Sequence, residues 1–273
     1  MTNRRRGCVV AVAALMLSLS AAAAAPVADR YPGLAAAHLL MRDDAVVSAH
    51  AADTRRPMAS LTKLMTALLA VESGRDDGEA VTVTAAAARE TGTRLGLSAG
   101  QRLRFGDLLA ATLIGSDNDA CHALADALAG SEAAFVARMN ARARELGLVH
   151  THYENACGHD ASAHVSTARE LAALALVAIQ QPRILVRTSQ PEAAITTLDA
   201  TPRTFRFGNH NELIGRYPGA IGIKSGTTPA AGRCLVAYAQ RDGHAALLVL
   251  LDARERWWTA TRLLDDALGG NVP

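Results

Sequence analysis

The order of elements predicts an α+β fold: strands from both ends of the chain form one antiparallel sheet, and helices from its middle cover that sheet. Three observations carry this expectation. Apolar runs of strand length sit near the start, within 36–49, and again near the end, within 221–251. Between them the apolar residues recur at helical spacing, in segments bounded by glycine and serine. The 273 residues, half of them apolar, suffice for a sizeable core in one large domain or two small ones, and no internal repeat or low-complexity linker divides them.

Residues 1–25 read as a secretory signal. Arg4-Arg5-Arg6 give a basic start, Val9 to Leu19 are mostly apolar, and Ala21 to Ala25 offer a small-residue cleavage site. The remainder, 26–273, is expected to be one catalytic domain with no stable membrane anchor once the signal is cut. Ala36 to Met41 and Asp43 to Ser48 predict two strands around an acidic turn. A helix is expected from Ser60 to Glu72, ended by Ser73-Gly74, followed by a short strand at Val81-Thr82-Val83 and a glycine-punctuated loop from Gly92 to Gly100. Phe105 opens a helix to Ile114. Two more follow, Ala120 to Leu128 and Glu132 to Leu146, the second capped by Ser131. Thr167 to Ile179 predicts a helix capped by Ser166, and Pro191 to Thr204 a strand pair. Ile221 to Gly226, Cys234 to Tyr238 and Ala245 to Leu251 predict three strands, and Thr259 to Leu268 a closing helix.

Charge excludes one class of partner. Removing 1–25 takes away three arginines and no acids, so the formal charge moves from +2 to 2 − 3 = −1. Nothing in that balance suggests nucleic acid. Cys121, Cys157 and Cys234 remain, so at least one is unpaired in an exported protein. Their spacing fits no metal or disulfide pattern, and most are read as small buried hydrophobes. His122, His150, His152 and His159 are spread over loops and a helix without clustered carboxylates. They are read as packing or surface histidines, so no metal and no cofactor is assigned.

The chemistry is concentrated in Met58-Ala59-Ser60-Leu61-Thr62-Lys63. A step of three residues on a helix brings the Ser60 hydroxyl and the Lys63 amine onto one face. Ser60 also sits at the helix start, where free N–H groups can receive an oxyanion. Composition strengthens the pairing. The chain has only two lysines, Lys63 and Lys224, and 28 − 2 = 26 arginines. Where a positive charge alone is needed this sequence uses arginine, whose guanidinium cannot serve as a base; an ammonium in a dry site can lose its proton. Ser116-Asp117-Asn118 offers a hydroxyl and an amide at a helix–loop boundary. Lys224-Ser225-Gly226 lies on a predicted strand where glycine permits close backbone approach.

These three motifs in this order form the signature of penicillin-binding proteins and class A β-lactamases. From about Ala52 to Leu251 the chain resembles the low-molecular-mass penicillin-binding proteins, the D-alanyl-D-alanine carboxypeptidase family. The matching stretches include Ala52 to Ser60, Ser116 to Ala120, Phe135 to Asn140, Val165 to Leu171, Asn209 to Leu213 and Gly222 to Thr228. The resemblance implies a β-lactamase/transpeptidase-like fold with a helical subdomain. It implies Ser60 as acylated nucleophile, Lys63 as its base and Ser116 as proton relay. Asn118 would hold the substrate peptide, Lys224 would supply charge near Ser116 and the substrate carboxylate, and the N–H groups of Ser60 and Thr227 would form the oxyanion hole. Ser225, Gly226 and Thr228 would help bind substrate, and Arg256, or else Arg254, would meet its terminal carboxylate.

The implied activity is a serine-type D-alanyl-D-alanine carboxypeptidase acting on peptidoglycan stem peptides in the periplasm or cell envelope, with β-lactam antibiotics as covalent inhibitors. The departures bear on that choice. Asn155-Ala156-Cys157-Gly158 stands where proline and histidine are common, and no second C-terminal domain or amphipathic anchor follows. That absence, with Ala231 to Val236 and Leu250-Leu251-Asp252, is closer to the D,D-endopeptidase branch, which cuts cross-links. A β-lactamase would need a water-activating carboxylate; Glu154-Asn155 resembles such a pair but lies in a tract that matches the carboxypeptidases. An inactive binding module would have lost a motif residue, and none is lost. Trp257-Trp258 is read as a packed helix start.

Overall fold

The computed structural model describes residues 29–269. The predicted leader, 1–25, lies outside them. Among the described residues no helix is long and apolar enough to cross a membrane.

Five strands form the central antiparallel sheet. In spatial order they are Ala45–His50, Ala35–Arg42, His244–Ala253, Gly232–Arg241 and Ala220–Thr228. Both ends of the chain therefore meet at the middle of the sheet, as expected. Leu247 to Leu251 is apolar at every position because both faces are covered. Leu247, Val249 and Leu251 face the larger core, with Leu39 and Val236. Leu248 and Leu250 face the smaller one, with Leu40 and Leu235. The C-terminal helix, Arg256–Leu268, closes the smaller core with Ala260, Leu263, Leu264, Ala267 and Leu268, a stripe at helical spacing.

The other face carries the helical part. Its centre is the helix Lys63–Glu72, in which Lys63 to Leu68 and Ala70 are all buried. Around it pack Asn118–Ala129, Glu132–Glu145 and Ala168–Ile179. Ala220–Thr228 is the last strand of the sheet, so its outer edge pairs with no further strand of the sheet. That edge runs past the start of the central helix, which places Lys224-Ser225-Gly226 opposite Ser60.

Several local expectations are corrected. Thr167, not Ser166, caps Ala168–Ile179 by accepting from the Glu170 N–H at 3.1 Å. Ser166 instead pairs in a two-residue strand with Arg56. Pro182–Thr188 is a helix that the sequence reading left out; Pro182 sits in its first turn, where its missing N–H is harmless. The strand pair expected within 191–204 is Glu192–Thr196 with Thr204–Gly208. The last helix starts at Arg256, three residues early, and splits the tryptophans: Trp257 packs on the smaller core while Trp258 is exposed.

The glycine-rich loop between Gly92 and Gly100 is anchored by one buried carboxylate. The buried Asp119 carboxylate accepts from the N–H groups of Leu95, Gly96 and Leu97 at 3.1, 2.9 and 2.9 Å. Asp119→Ala leaves these donors without their charged acceptor, and we expect a loss of about 2–4 kcal/mol in urea unfolding. Trypsin cleavage after the exposed Arg94 should quicken as well. Unchanged stability together with an intact loop would show that Asp119 does not hold it.

Candidate active site

Ser60 lies in a short 3₁₀ turn, Ala59–Thr62, that runs into the helix Lys63–Glu72. Ala59 is left-handed at φ +49°. That conformation costs a residue with a Cβ about 1–2 kcal/mol. Two glycines complete the tight corner. A Cβ on Gly158 would stand 2.1 Å from the Ala59 carbonyl oxygen, and one on Gly226 would stand 2.7 Å from the Ser60 nitrogen. The strand and the Asn155–Gly158 loop can approach the nucleophile this closely only because neither carries a side chain there.

The Lys63 amine is fully buried and has three oxygen neighbours. It donates to Ser60 Oγ at 3.1 Å, to Asn118 Oδ1 at 2.7 Å and to the Cys157 carbonyl at 2.6 Å. Burial pulls its pKa down to about 7, against the charges of Asp117 and Glu90, which pull it up. This geometry fixes what the neutral amine can do. Two of its four tetrahedral positions keep N–H bonds to Asn118 and Cys157, and one is the carbon stem. The remaining lone pair points to Ser60, so the amine can take the proton of that hydroxyl and no other.

Ser116 ends the helix Phe105–Ala110 through a wider π-helical turn, Ala111–Gly115, and is itself left-handed at φ +58°. The reversal turns its hydroxyl to the buried Lys224, whose Nζ donates to Ser116 Oγ and to the Ser225 carbonyl, each at 2.9 Å. Burial and then the nearby Lys63 charge push the Lys224 amine well below its ordinary value. Asn118 opens the helix Asn118–Ala129, and its Nδ2 donates to the Thr91 carbonyl at 2.6 Å. Asp117, between the two motif residues, is buried; desolvation, then the charge of Asp119, raises its carboxyl to about 7.

A groove of about 340 Å³ opens over these groups, lined by Ser60, Ser116, Ser225, Gly226, Thr227 and Arg256 among others. Arg256 Nη1 donates to the Gly226 carbonyl at 2.8 Å, to Thr227 Oγ1 at 3.1 Å and to the Cys234 carbonyl at 3.0 Å. Arg254 is exposed and outside the lining. The Thr228 hydroxyl is turned away, bonded to the Asp160 carboxylate at 2.5 Å and accepting from the Ala231 N–H at 3.1 Å. Thr228 therefore pins the strand turn and is not among the residues that line the groove. Glu154 and Asn155 serve their own loop. Asn155 Oδ1 accepts from the N–H groups of Cys157, Gly158 and His159, and Glu154 accepts from the Ala163 N–H.

Several participants were not read from the sequence. The Cys157 carbonyl on Lys63 is a backbone group with no sequence signal. Cys121 and Cys157 form a disulfide with Cα atoms 6.0 Å apart, and Cys234 stays free and buried; this corrects the reading of the cysteines as small hydrophobes. The bond joins the helix that carries Asn118 to the loop that holds Lys63. His210 also lines the groove, with its carbonyl accepting from Ser225 Oγ at 3.0 Å. Burial, and then the charge of Lys224, lowers its pKa and favours a neutral ring.

Comparison with known proteins agrees with this geometry. Residues 13–255 match the family described as D-alanyl-D-alanine carboxypeptidase, peptidase family S11. The D-alanyl-D-alanine carboxypeptidase DacF of Bacillus subtilis is 35% identical over 217 residues, which cover 77% of this chain and 55% of the relative. A D-alanyl-D-alanine carboxypeptidase of Streptomyces strain K15 is 34% identical, over 74% of each chain. A D-alanyl-D-alanine endopeptidase of Pseudomonas aeruginosa is also 34% identical, over 72% of this chain and 64% of its own. This chain thus spans little more than half the length of the Bacillus relative. The crystal structure of the Streptomyces K15 DD-transpeptidase superposes with a TM-score of 0.81 at 28% identity, covering 86% of this chain and 97% of that one. The β-lactamase/transpeptidase-like fold expected from the sequence is the one observed.

Asp117 gives the site a test of sign. Its negative charge favours the Lys63 ammonium. Asp117→Asn removes that charge and should lower the Lys63 pKa, moving the rise of acylation rate with pH to lower pH by roughly half a unit to one unit. A rise displaced to higher pH would contradict this reading of the electrostatics.

Proposed function

We propose that this chain, which belongs to the D-alanyl-D-alanine carboxypeptidase family, is a serine peptidase that cleaves the terminal D-Ala–D-Ala bond of peptidoglycan stem peptides. The single observation that carries the proposal is the Lys63 amine, 3.1 Å from Ser60 Oγ with its other N–H groups committed elsewhere. Neutral Lys63 takes the proton as Ser60 Oγ bonds to the carbonyl carbon of the penultimate D-alanine. The oxyanion is received at the Ser60 and Thr227 amides, at the corner where Gly226 meets Ser60; such donors contribute about 3–4 kcal/mol each. The C–N bond then breaks, and the leaving amine is protonated through Ser116, held by Lys224. Water releases the acyl group from Ser60 and the shorter peptide departs.

Substrate binding follows from the open edge of Ala220–Thr228. An extended peptide laid along it gains strand-like hydrogen bonds, Asn118 meets the peptide backbone, and Ser225 and Thr227 bracket the end. Arg256 supports the carboxylate pocket through Gly226 and Thr227, with Lys224 as the second positive group. The mature chain, 26–273, is taken to act after export, in the periplasm or cell envelope. A second reading, cleavage of peptide cross-links, is favoured by the similarity to proteins named D-alanyl-D-alanine endopeptidase.

β-Lactams would be attacked by the same hydroxyl. Because the lactam's leaving nitrogen stays tethered, the whole molecule remains on Ser60, and Glu154 and Asn155 are engaged in bonds to their own loop. Intact mass spectrometry should show one slowly released penicillin adduct, lost in Ser60→Ala. Rapid turnover without an adduct would favour a β-lactamase. Lys63→Arg keeps the charge but cannot act as base, so acylation should fall about 10²–10⁴-fold, whereas Lys224→Arg should retain more activity, its loss lying partly in binding. Near wild-type acylation by folded Lys63→Arg would overturn the mechanism.

Products distinguish the two peptidase readings. Free D-alanine from a pentapeptide is expected for the carboxypeptidase, and monomers from cross-linked dimers for the endopeptidase. A penicillin-reactive sample that yields neither would place the substrate elsewhere.

A further inference from the structure

A second cluster of titratable side chains touches neither Ser60 nor Lys63, although the charge of Glu90 is felt at Lys63. Glu90 is its centre. Its two oxygens face two imidazoles: Oε1 is 2.6 Å from His122 Nδ1, and Oε2 is 2.8 Å from His159 Nε2. Glu132 completes the group; one donor atom each from Glu90, His122 and Glu132 all lie within 4.8 Å of one another. Four separate segments meet here: the end of the Ala87–Arg89 turn, the helix Asn118–Ala129, the helix Glu132–Glu145 and the loop after Gly158. Residues 32 and 69 positions apart are brought together, which is why the sequence reading found no carboxylates beside these histidines.

Two further observations separate this cluster from an ordinary surface ion pair. The first concerns the far side of His122. Its Nε2 lies 3.5 Å from Asp126 Oδ1, and Asp126 is itself fixed by the Thr84 hydroxyl at 2.6 Å. A histidine whose outer nitrogen faces a carboxylate is oriented, and its inner nitrogen would ligate in place of its present bond to Glu90; metal-bound imidazoles have such an outer partner in almost every case. Glu132 is held likewise, its Oε1 accepting from the Ala156 N–H at 2.9 Å. The second is charge. Asp53, Glu72, Asp77 and Glu79 each pair with arginine. Among the described residues no arginine or lysine makes an ion pair with Glu90, Asp126 or Glu132; the only ion-pair partners found for Glu90 and Asp126 are imidazoles. Three carboxylates thus face two imidazoles, a net negative cluster in which a dication can take the place of the imidazole protons.

We propose that Glu90, His122 and Glu132 bind one divalent cation of the zinc class, and that His159, which faces the second Glu90 oxygen, closes on it as the fourth ligand. Two nitrogen and two oxygen donors suit Zn²⁺ and exclude a dedicated Mg²⁺ or Ca²⁺ cage, which would be all oxygen. With bonds of about 2.0–2.2 Å, tetrahedral donors stand roughly 3.3–3.6 Å apart, so Glu90 must retreat from the two rings by roughly 0.5–1 Å. Binding displaces any proton shared between Glu90 and the rings. The ion's place is structural. The Thr91 carbonyl, next to Glu90, receives Asn118 Nδ2, and Gly158, next to His159, rests on Ala59 and Ser60. A cation joining Glu90 to His159 therefore ties two walls of the active site together without entering the groove.

Untagged protein, stripped with a chelator and titrated with zinc chloride in a calorimeter, tests this. One Zn²⁺ per chain is expected, with a melting temperature that climbs with zinc concentration and, for Co²⁺, the visible spectrum of a tetrahedral N/O site. His159→Ala changes a half-buried loop residue and should fold. It should weaken binding at least 10–100-fold, the loss that even an outer-shell partner's removal produces. His122→Gln and Glu90→Gln should do the same, while the control His244→Ala should bind as the parent does. Failure to bind zinc stoichiometrically, or affinity that His159→Ala leaves unchanged, would overturn the site. Penicillin labelling of the same stripped sample reports on the peptidase reading separately.

Discussion

An amine buried without a carboxylate against it is the constraint on which the active site depends. The nearest neighbours of Lys63 are oxygens that accept but carry no full charge, so its ammonium form loses water and gains mainly dipoles, with the charges of Asp117 and Glu90 acting only from beyond contact. Its pKa of about 7, against 10.5 for a free side chain, corresponds to roughly 5 kcal/mol less preference for the charged form. Between those two values the unfolded chain binds a proton that the folded chain does not. Stability therefore rises with pH across that window, and below about pH 7 the full penalty is present. The fold carries this penalty at neutral pH and obtains a base that works there.

The rest of the architecture serves that arrangement. The helix Lys63–Glu72 is buried on nearly all sides, and the Lys63 amine at its start is closed off from solvent. Strain is placed beside it rather than removed: Ala59 and Ser116 are both left-handed, and each turns a hydroxyl towards a lysine, Ser60 to Lys63 and Ser116 to Lys224. Such conformations persist only where the surroundings over-determine them. Here the surroundings are the bare backbones at Gly158 and Gly226, together with the Cys121–Cys157 bond that fixes the loop above Lys63.

What the sequence disclosed and what it hid divide along physical lines. Ser60, Lys63, Ser116 and Lys224 were legible because their side-chain chemistry is specific and two lysines among 26 arginines stand out. The sheet was legible because strands buried on both faces read as unbroken apolar runs. Backbone acceptors such as the Cys157 carbonyl carry no residue signature. The disulfide and the Glu90 cluster join segments 36 and 32 residues apart whose approach is decided by helix packing, not by local pattern. Thr167 displaced Ser166 as cap because Ser166 was already committed to a strand pair with Arg56, a tertiary demand that propensity does not see.

The scarcity of lysine has a consequence for how this protein meets reactive carbonyl compounds. Both side-chain amines lie inside the fold, Lys63 0% and Lys224 1% exposed, and every other basic side chain is a guanidinium or an imidazole. Apart from its amino terminus, the outer surface offers no aliphatic amine. An enzyme that forms activated esters works beside nucleophiles that could capture the acyl group, and its own surface supplies almost none. Amine-directed labels are confined to the chain terminus while the protein is folded and reach the two lysines only once it opens, so their incorporation is a direct gauge of how often the active site comes apart.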